Sequence, residues 1–175
     1  KYTSSRIKTK KSWKSGRFEI RAKLPQGVGT WAAFWGLPTE WKYGNWPNSG
    51  EIDVLEHVGF EEGHIVSSVH NIAHHGDLSR SDQTKYVIAK NVVNSFNDYI
   101  LEWDEKEIKT FINDKLIFSY PKNDQPWERW PFDEKFHFIL NIAIGGNWRG
   151  MKGIDDTAFP AKMEIEHFRV YKKNT

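Results

Sequence analysis

Apolar and polar residues alternate along this chain in short runs. From Arg17 to Leu24, Phe18, Ile20, Ala22 and Leu24 point one way while Arg17, Glu19, Arg21 and Lys23 point the other, the period-two pattern of a strand with one buried and one wet face. Pro25 and Gly27 end that run. Similar runs predict strands at 3–9, 30–37, 50–57, 64–70, 84–90, 97–103, 107–113, 116–120, 136–143 and 163–171, with Gly, Pro, Asn or Asp between them. Ile108 to Tyr120 reads as a hairpin turning at Asn113, Asp114 and Lys115. No segment carries a long helical period. Many short strands with no helix between them predict an all-β antiparallel sandwich or jelly roll rather than a parallel α/β fold. With no internal repeat, low-complexity tract or linker, residues 1–175 are expected to form a single domain.

Composition changes the picture at tryptophan. Only 38% of the residues are apolar, yet 15% are aromatic and nine are tryptophan, so the rings must fill a core or line a flat, wet surface. Two loops, Pro38 to Gly50 and Asn123 to Asp133, carry Trp41, Trp46, Trp127 and Trp130. Such loops either wall a binding surface or are pinned to the core. Trp13 and Trp103 read as structural, whereas Trp31, Ala33 and Trp35 share a strand face opposite Ala32 and Phe34.

Charge and cysteine content mainly exclude. The net charge is +2, with Lys and Arg interspersed among acids, which is not the concentrated basic stripe of a nucleic-acid binder. The runs Lys8 to Lys14 and Lys172 to Lys173 read as solvated strand ends. The absence of cysteine rules out disulfides, thiolate zinc sites and cysteine nucleophiles. No apolar run approaches the roughly 20 residues that span a bilayer, and the initial KYTSSRIKTK lacks a signal-peptide core.

The chemistry concentrates in residues 50–57, Gly50-Glu51-Ile52-Asp53-Val54-Leu55-Glu56-His57. Alternation puts Glu51 and Asp53 on one face and Ile52 on the other, but gives Glu56 the core-facing parity, where an unpaired carboxylate is costly. A β-bulge at Val54 or Leu55 corrects this and returns Glu56 to the face of Glu51 and Asp53. Three crowded acids should raise the proton affinity of at least one. One ionised and one protonated carboxyl at close spacing could act as nucleophile and acid/base in a retaining glycosidase. A solvated acidic face and a calcium site are the other readings of that spacing.

Glu51-x-Asp53-x-x-Glu56, preceded by Trp46-Pro47-Asn48-Ser49-Gly50, resembles the signature of glycoside hydrolase family 16, in its bulge-containing branch of laminarinases, agarases and carrageenases. The resemblance extends through Tyr2-Thr3-Ser4-Ser5-Arg6-Ile7, Gly16-Arg17-Phe18-Glu19, Gly29-Thr30-Trp31-Ala32-Ala33-Phe34-Trp35, Asn141-Ile142-Ala143-Ile144-Gly145-Gly146-Asn147-Trp148 and Phe168-Arg169-Val170-Tyr171. It implies a concanavalin-like β-jelly-roll sandwich of two antiparallel sheets, with the acids on the concave one. Glu51 would be the nucleophile, Glu56 the general acid/base and Asp53 the assisting acid. The chain begins at a motif lying some way into the usual family domain, so the N-terminal strands are expected to be absent from it. Glu166 stands at the position where laminarinases often place a calcium-ligating Asp, which leaves a structural calcium in question; no metal site or catalytic cofactor is expected.

The same resemblance turns Trp31 and Trp35 toward the cleft, with Trp46 as the stacking candidate nearest the cleavage point. It places His70, on a face shared with Val66 and Ser68, near the acid/base on the leaving-group side, against the alternative of a satisfied structural histidine. Arg6 and Asn141 are candidates to hydrogen-bond sugar hydroxyls, although Arg6 could equally pair with an acid. His74 and His75, beside Gly76 and Asp77, have no acidic partner at metal spacing. The leading expectation is endo-acting, retaining hydrolysis of β-1,3-linked glucan. A mixed-linkage glucan or algal galactan hydrolase, or a non-catalytic carbohydrate-binding module, are the alternatives. The partner is then a polysaccharide rather than nucleic acid or a membrane. The protein is expected to be secreted, periplasmic or at the cell surface, and a monomer or joined to a complementary N-terminal segment.

Overall fold

A computed structural model describes residues 2–75, 83–146 and 152–172, and in it strands form where the alternation predicts them. In chain order they are β1 (Arg6–Lys8), β2 (Gly16–Lys23), β3 (Thr30–Pro38), β4 (Glu51–Val58), β5 (His64–His70), β6 (Thr84–Ile88), β7 (Asn97–Trp103), β8 (Glu107–Ile112), β9 (Lys115–Pro121), β10 (Phe136–Ile144) and β11 (Glu164–Tyr171). β1 and β6 are shorter than the sequence pattern predicts, and a 3-10 turn at Asp156–Ala158 was not foreseen. The hairpin closes on Asn113 and Asp114, with Lys115 already in β9. Asn113 takes the positive φ of 54° that such a tight turn demands. Of the sequence motifs, Gly76, Asp77, Asn147, Trp148 and Lys173 lie outside the described residues.

Two antiparallel sheets face one another. The six-stranded sheet runs β1-β10-β3-β4-β5-β6 and the five-stranded sheet β11-β2-β7-β8-β9. Phe18, Ile20, Ala22 and Leu24 are fully buried, as their alternation requires, and meet Phe34, Ile52, Val54, Leu55, Phe136 and Phe138 from the other sheet. The ring pairs Phe18 with Phe138 and Trp13 with Phe18, at centroid separations of 4.3 and 5.5 Å, bridge the layers. Trp103 and Trp130 are also sealed in, so with Trp13 they are structural. The opposite face of β2 is stitched by Arg17 to Glu102 (2.6 Å) and Arg21 to Asp98 (3.1 Å). Glu166 joins this ladder, 2.6 Å from Arg21 Nε.

The two polar loops are pinned to each other. Glu134 accepts the backbone N–H groups of Glu40 and Lys42, and Lys42 Nζ reaches Asp133 at 2.6 Å. Trp130 therefore belongs to the core, whereas Trp127 stacks on Tyr43 at 4.9 Å and stays partly exposed. The reading of a loop pinned to the core holds for Trp130.

Candidate active site

The register of β4 resolves the parity conflict. Phe34 of β3 pairs with Leu55 and Trp35 with Asp53, so Val54 is the extra residue; on the other side Asp53 pairs with Ser68 and Glu56 with Val66. Val54 and Leu55 both enter the core, and Glu56 returns to the face of Glu51 and Asp53. Ser67, whose Oγ donates to the carbonyl of Val54 at 2.6 Å, secures the bulge from below. Just upstream, Gly50 has φ of 83°, and a Cβ there would stand 2.8 Å from the ring of Phe132. Only glycine lets the chain turn into the strand so close to that ring.

The three carboxylates lie in a cleft of about 360 Å³ bordered by Trp31, Trp35, Arg6 and Asn141. Each acid has its own donors. Trp46 Nε1 donates to Glu51 Oε2 at 2.5 Å. Ser68 Oγ donates to Asp53 Oδ2 at 2.9 Å, and His70 Nε2 lies 3.0 Å from the same oxygen. Trp31 Nε1 donates to Glu56 Oε1 at 3.1 Å. Glu56 and Asp53 are otherwise almost shut from solvent, at 7% and 3% exposure.

Burial, followed by the charge of Asp53, pushes the Glu51 carboxyl up to about 9. A positive His70 and the indole N–H of Trp46 pull the other way, since both favour the charged form. Crowding was expected to raise the proton affinity of at least one of the three acids; Glu51 is such a group, with burial the largest cause and the neighbouring Asp53 the next. Two carboxyls in such contact hold one proton between them.

All nine sequence-predicted residues gather at this site. Trp35 donates its N–H to Asn141 Oδ1 at 2.7 Å, and the Arg6 guanidinium lies over the Trp35 ring at 4.8 Å, so these three form one connected wall. Trp46, 45% exposed, packs against His75 and His70 at 5.4 and 6.2 Å. His70, expected near the acid/base, lies with Nε2 3.0 Å from Asp53 Oδ2. His74 lies 3.4 Å from Arg129 Nη2, an arrangement unsuited to metal ligation. Ser68 was noted only for its parity, and Ser4 and Ser5, which line the cleft beside Arg6, only as part of a motif and not as site candidates.

Glu19, Asp98 and His167 bring ligand atoms together within 4.8 Å on the other sheet. Arg17 and Arg21 lie on Glu19 and Asp98 at 3.4 and 3.1 Å, so this cluster is already neutralised by cations. Among the described residues no helix is long and apolar enough to cross a membrane.

Comparison with known proteins gives a consistent result. The family model for glycosyl hydrolases family 16 matches residues 1–167. The chain is 43% identical to a β-glucanase of Rhodothermus marinus, over 98% of this chain and 63% of that protein. It is 36% identical to glucan endo-1,3-β-glucosidase A1 of Niallia circulans, over 98% of this chain and 26% of that protein. It thus spans less than two thirds of the length of these curated relatives. The X-ray structure of the laminarinase from Rhodothermus marinus superposes with a TM-score of 0.91 at 41% identity, covering 95% of this chain and 70% of that one.

Proposed function

The chain belongs to glycoside hydrolase family 16, and from that membership we propose that it cleaves β-1,3-linked glucan of the laminarin type, internally and with retention of configuration. The observation that carries this reading is the bulge at Val54, which puts Glu51, Asp53 and Glu56 on one face of β4 inside a cleft walled by tryptophan. Flat indole faces suit the C–H faces of sugar rings, and a neutral wall with Arg6 as its cation suits a neutral glucan better than a sulfated galactan.

In the first half-reaction Glu51, ionised, attacks the anomeric carbon while Glu56 gives its proton to the departing glycosidic oxygen. An ester links the sugar to Glu51. In the second, Glu56 takes a proton from water, the oxygen of that water attacks the same carbon, and Glu51 leaves as a carboxylate. Attack requires the proton of the Glu51–Asp53 pair to rest on Asp53, from which it hydrogen-bonds to Glu51 and steadies its negative charge. Trp31 holds Glu56 toward the scissile bond, and Trp46 offers both a ring to the substrate and a donor to the nucleophile.

Residues 1–175 act in this reading as one catalytic domain, and a polymeric substrate implies an extracellular or cell-surface setting. No step draws on a metal or organic cofactor. Wild-type protein should release reducing ends from laminarin, with the activity abolished by Glu51→Ser or Glu56→Gln. Laminarin, mixed-linkage glucan and agar all left uncut by the wild type would overturn the reading. Retention on glucan gels without turnover, unchanged in Glu51→Ala, would point instead to a binding module.

A further inference from the structure

The ladder between β3 and β10 does not stop where the strands do. Pro38 pairs with Phe136, and the Thr39 N–H then donates to the carbonyl of Lys135 at 2.7 Å. One step further a side chain takes the place of the backbone: the two oxygens of Glu134 accept the N–H groups of Glu40 at 3.3 Å and Lys42 at 3.1 Å. Glu134 is 3% exposed, and a carboxylate so buried is costly unless donors meet it. Both donors come from the root of the loop that carries Trp46. Asp133 adds contacts to Lys42 Nζ and the Tyr43 hydroxyl, but between partly exposed groups, which contribute less.

From that root to β4 the loop runs through successive turns. The Gly44 N–H donates to the carbonyl of Trp41 at 2.9 Å, that of Asn48 to Asn45 at 2.9 Å and that of Gly50 to Pro47 at 3.0 Å. Buried Ser49 ties the segment across, its Oγ accepting from the Tyr43 N–H at 2.9 Å and donating to the carbonyl of Gly44 at 2.8 Å. A loop so closed on itself keeps its shape, and what remains to be set is where it sits. β4 fixes one end and Glu134 the other. Trp46 lies between them, half-exposed, so burial does little to place its ring.

We infer that Glu134 is a positioning residue for Trp46: by holding the root of the loop it keeps the indole N–H on Glu51. Glu134 does not itself line the cleft. The inference rests on the glucan-cleaving reading above, and gives a side chain outside the cleft the task of delivering the donor that the nucleophile receives.

The test asks whether Glu134 acts through Trp46. In the intact protein, Glu134→Ala should lower kcat/KM on laminarin by roughly three- to tenfold, the weight of one displaced hydrogen bond to a charged group. In a Trp46→Ala background, where no indole remains to be placed, the same substitution should cause no further loss. Glu134→Gln keeps one acceptor oxygen and should fall between Glu134→Ala and the wild type; if Glu134→Ala does not fold, it carries the same comparison. The indole N–H resonance of Trp46, identified by its disappearance in Trp46→Phe, should shift in the Glu134 variants whether or not any substrate is cut. Wild-type kcat/KM in Glu134→Ala, equal fold losses with and without Trp46, or an unmoved Trp46 resonance would overturn the positioning role and leave the glucanase reading intact. If the wild type leaves laminarin uncut, the glucanase reading fails, and the resonance alone decides whether Glu134 places Trp46.

Discussion

The indole N–H of Trp46 donates to Oε2 of Glu51 at 2.5 Å while 45% of the residue remains exposed. The ring's face and its nitrogen therefore serve different purposes, and they can be separated. Trp46→Phe keeps the face and removes the donor, so kcat on laminarin should fall roughly tenfold, the weight of one hydrogen bond to a charged group, with KM little changed. Trp46→Ala should raise KM as well. Steady-state kinetics on the two variants checks this, and identical KM values would remove the stacking role.

His70 reaches Glu51 through Asp53. Its Nε2 lies 3.0 Å from Asp53 Oδ2, and it stands opposite Glu51 in the β4–β5 register. The other group beside it on these strands is Ser68, with Trp46, itself packed on His75, in the loop above. A positive His70 favours ionised Glu51. Replacing it by Gln keeps a donor and removes the charge, so the acidic limb of the kcat/KM profile should move to higher pH, by about one unit. A variant whose KM rises while the pH profile stays in place would show that His70 contacts sugar instead.

Glu51 also ties stability to pH. Its carboxyl binds protons more tightly folded than unfolded, up to about 9 against an ordinary 4.5. Its contribution to stability is therefore complete below pH 4.5 and is lost as pH rises toward 9. Glu51→Gln removes that loss. Its melting temperature should exceed that of the wild type by a margin that grows from pH 5 to pH 9, by roughly 3 °C or more. Calorimetry at the two pH values reads it directly, and a margin that is constant or shrinks with pH would contradict the burial of Glu51 against Asp53.

Which parts of this were legible in the sequence follows from what each depends on. Strand positions depend on local alternation, and Phe18, Ile20 and Ala22 declared theirs. The bulge was legible for a related reason: Ile52, Val54 and Leu55 all had to enter the core, and no regular strand could bury them and still expose Glu56. Hydrogen bonds made across strands were not legible. That Trp31 would donate to Glu56, or Trp46 to Glu51, depends on side-chain reach over distances that spacing does not encode. How far the proton affinity of Glu51 rises depends first on burial, which spacing does not encode.

The bulge itself can be tested by deletion. Removing Val54 would join Phe34–Leu55 and Trp35–Asp53 into a continuous ladder and leave Glu51, Asp53 and Glu56 on one face. The cost is local: Val54 is 1% exposed, and the Oγ of buried Ser67 would lose the carbonyl it now bonds. A loss of about 2–5 kcal/mol is expected, measurable by urea unfolding, with activity on laminarin reduced but present. Removing Ile52 instead would turn Glu51 into the core and seat Asp53 directly after it. That deletion should abolish activity, whatever fold remains. The two variants differ by one apolar residue on either side of Asp53, so their contrast isolates side-chain parity from chain length. Equal inactivity in two folded proteins would mean that the face shared by the three acids is not what the reaction requires.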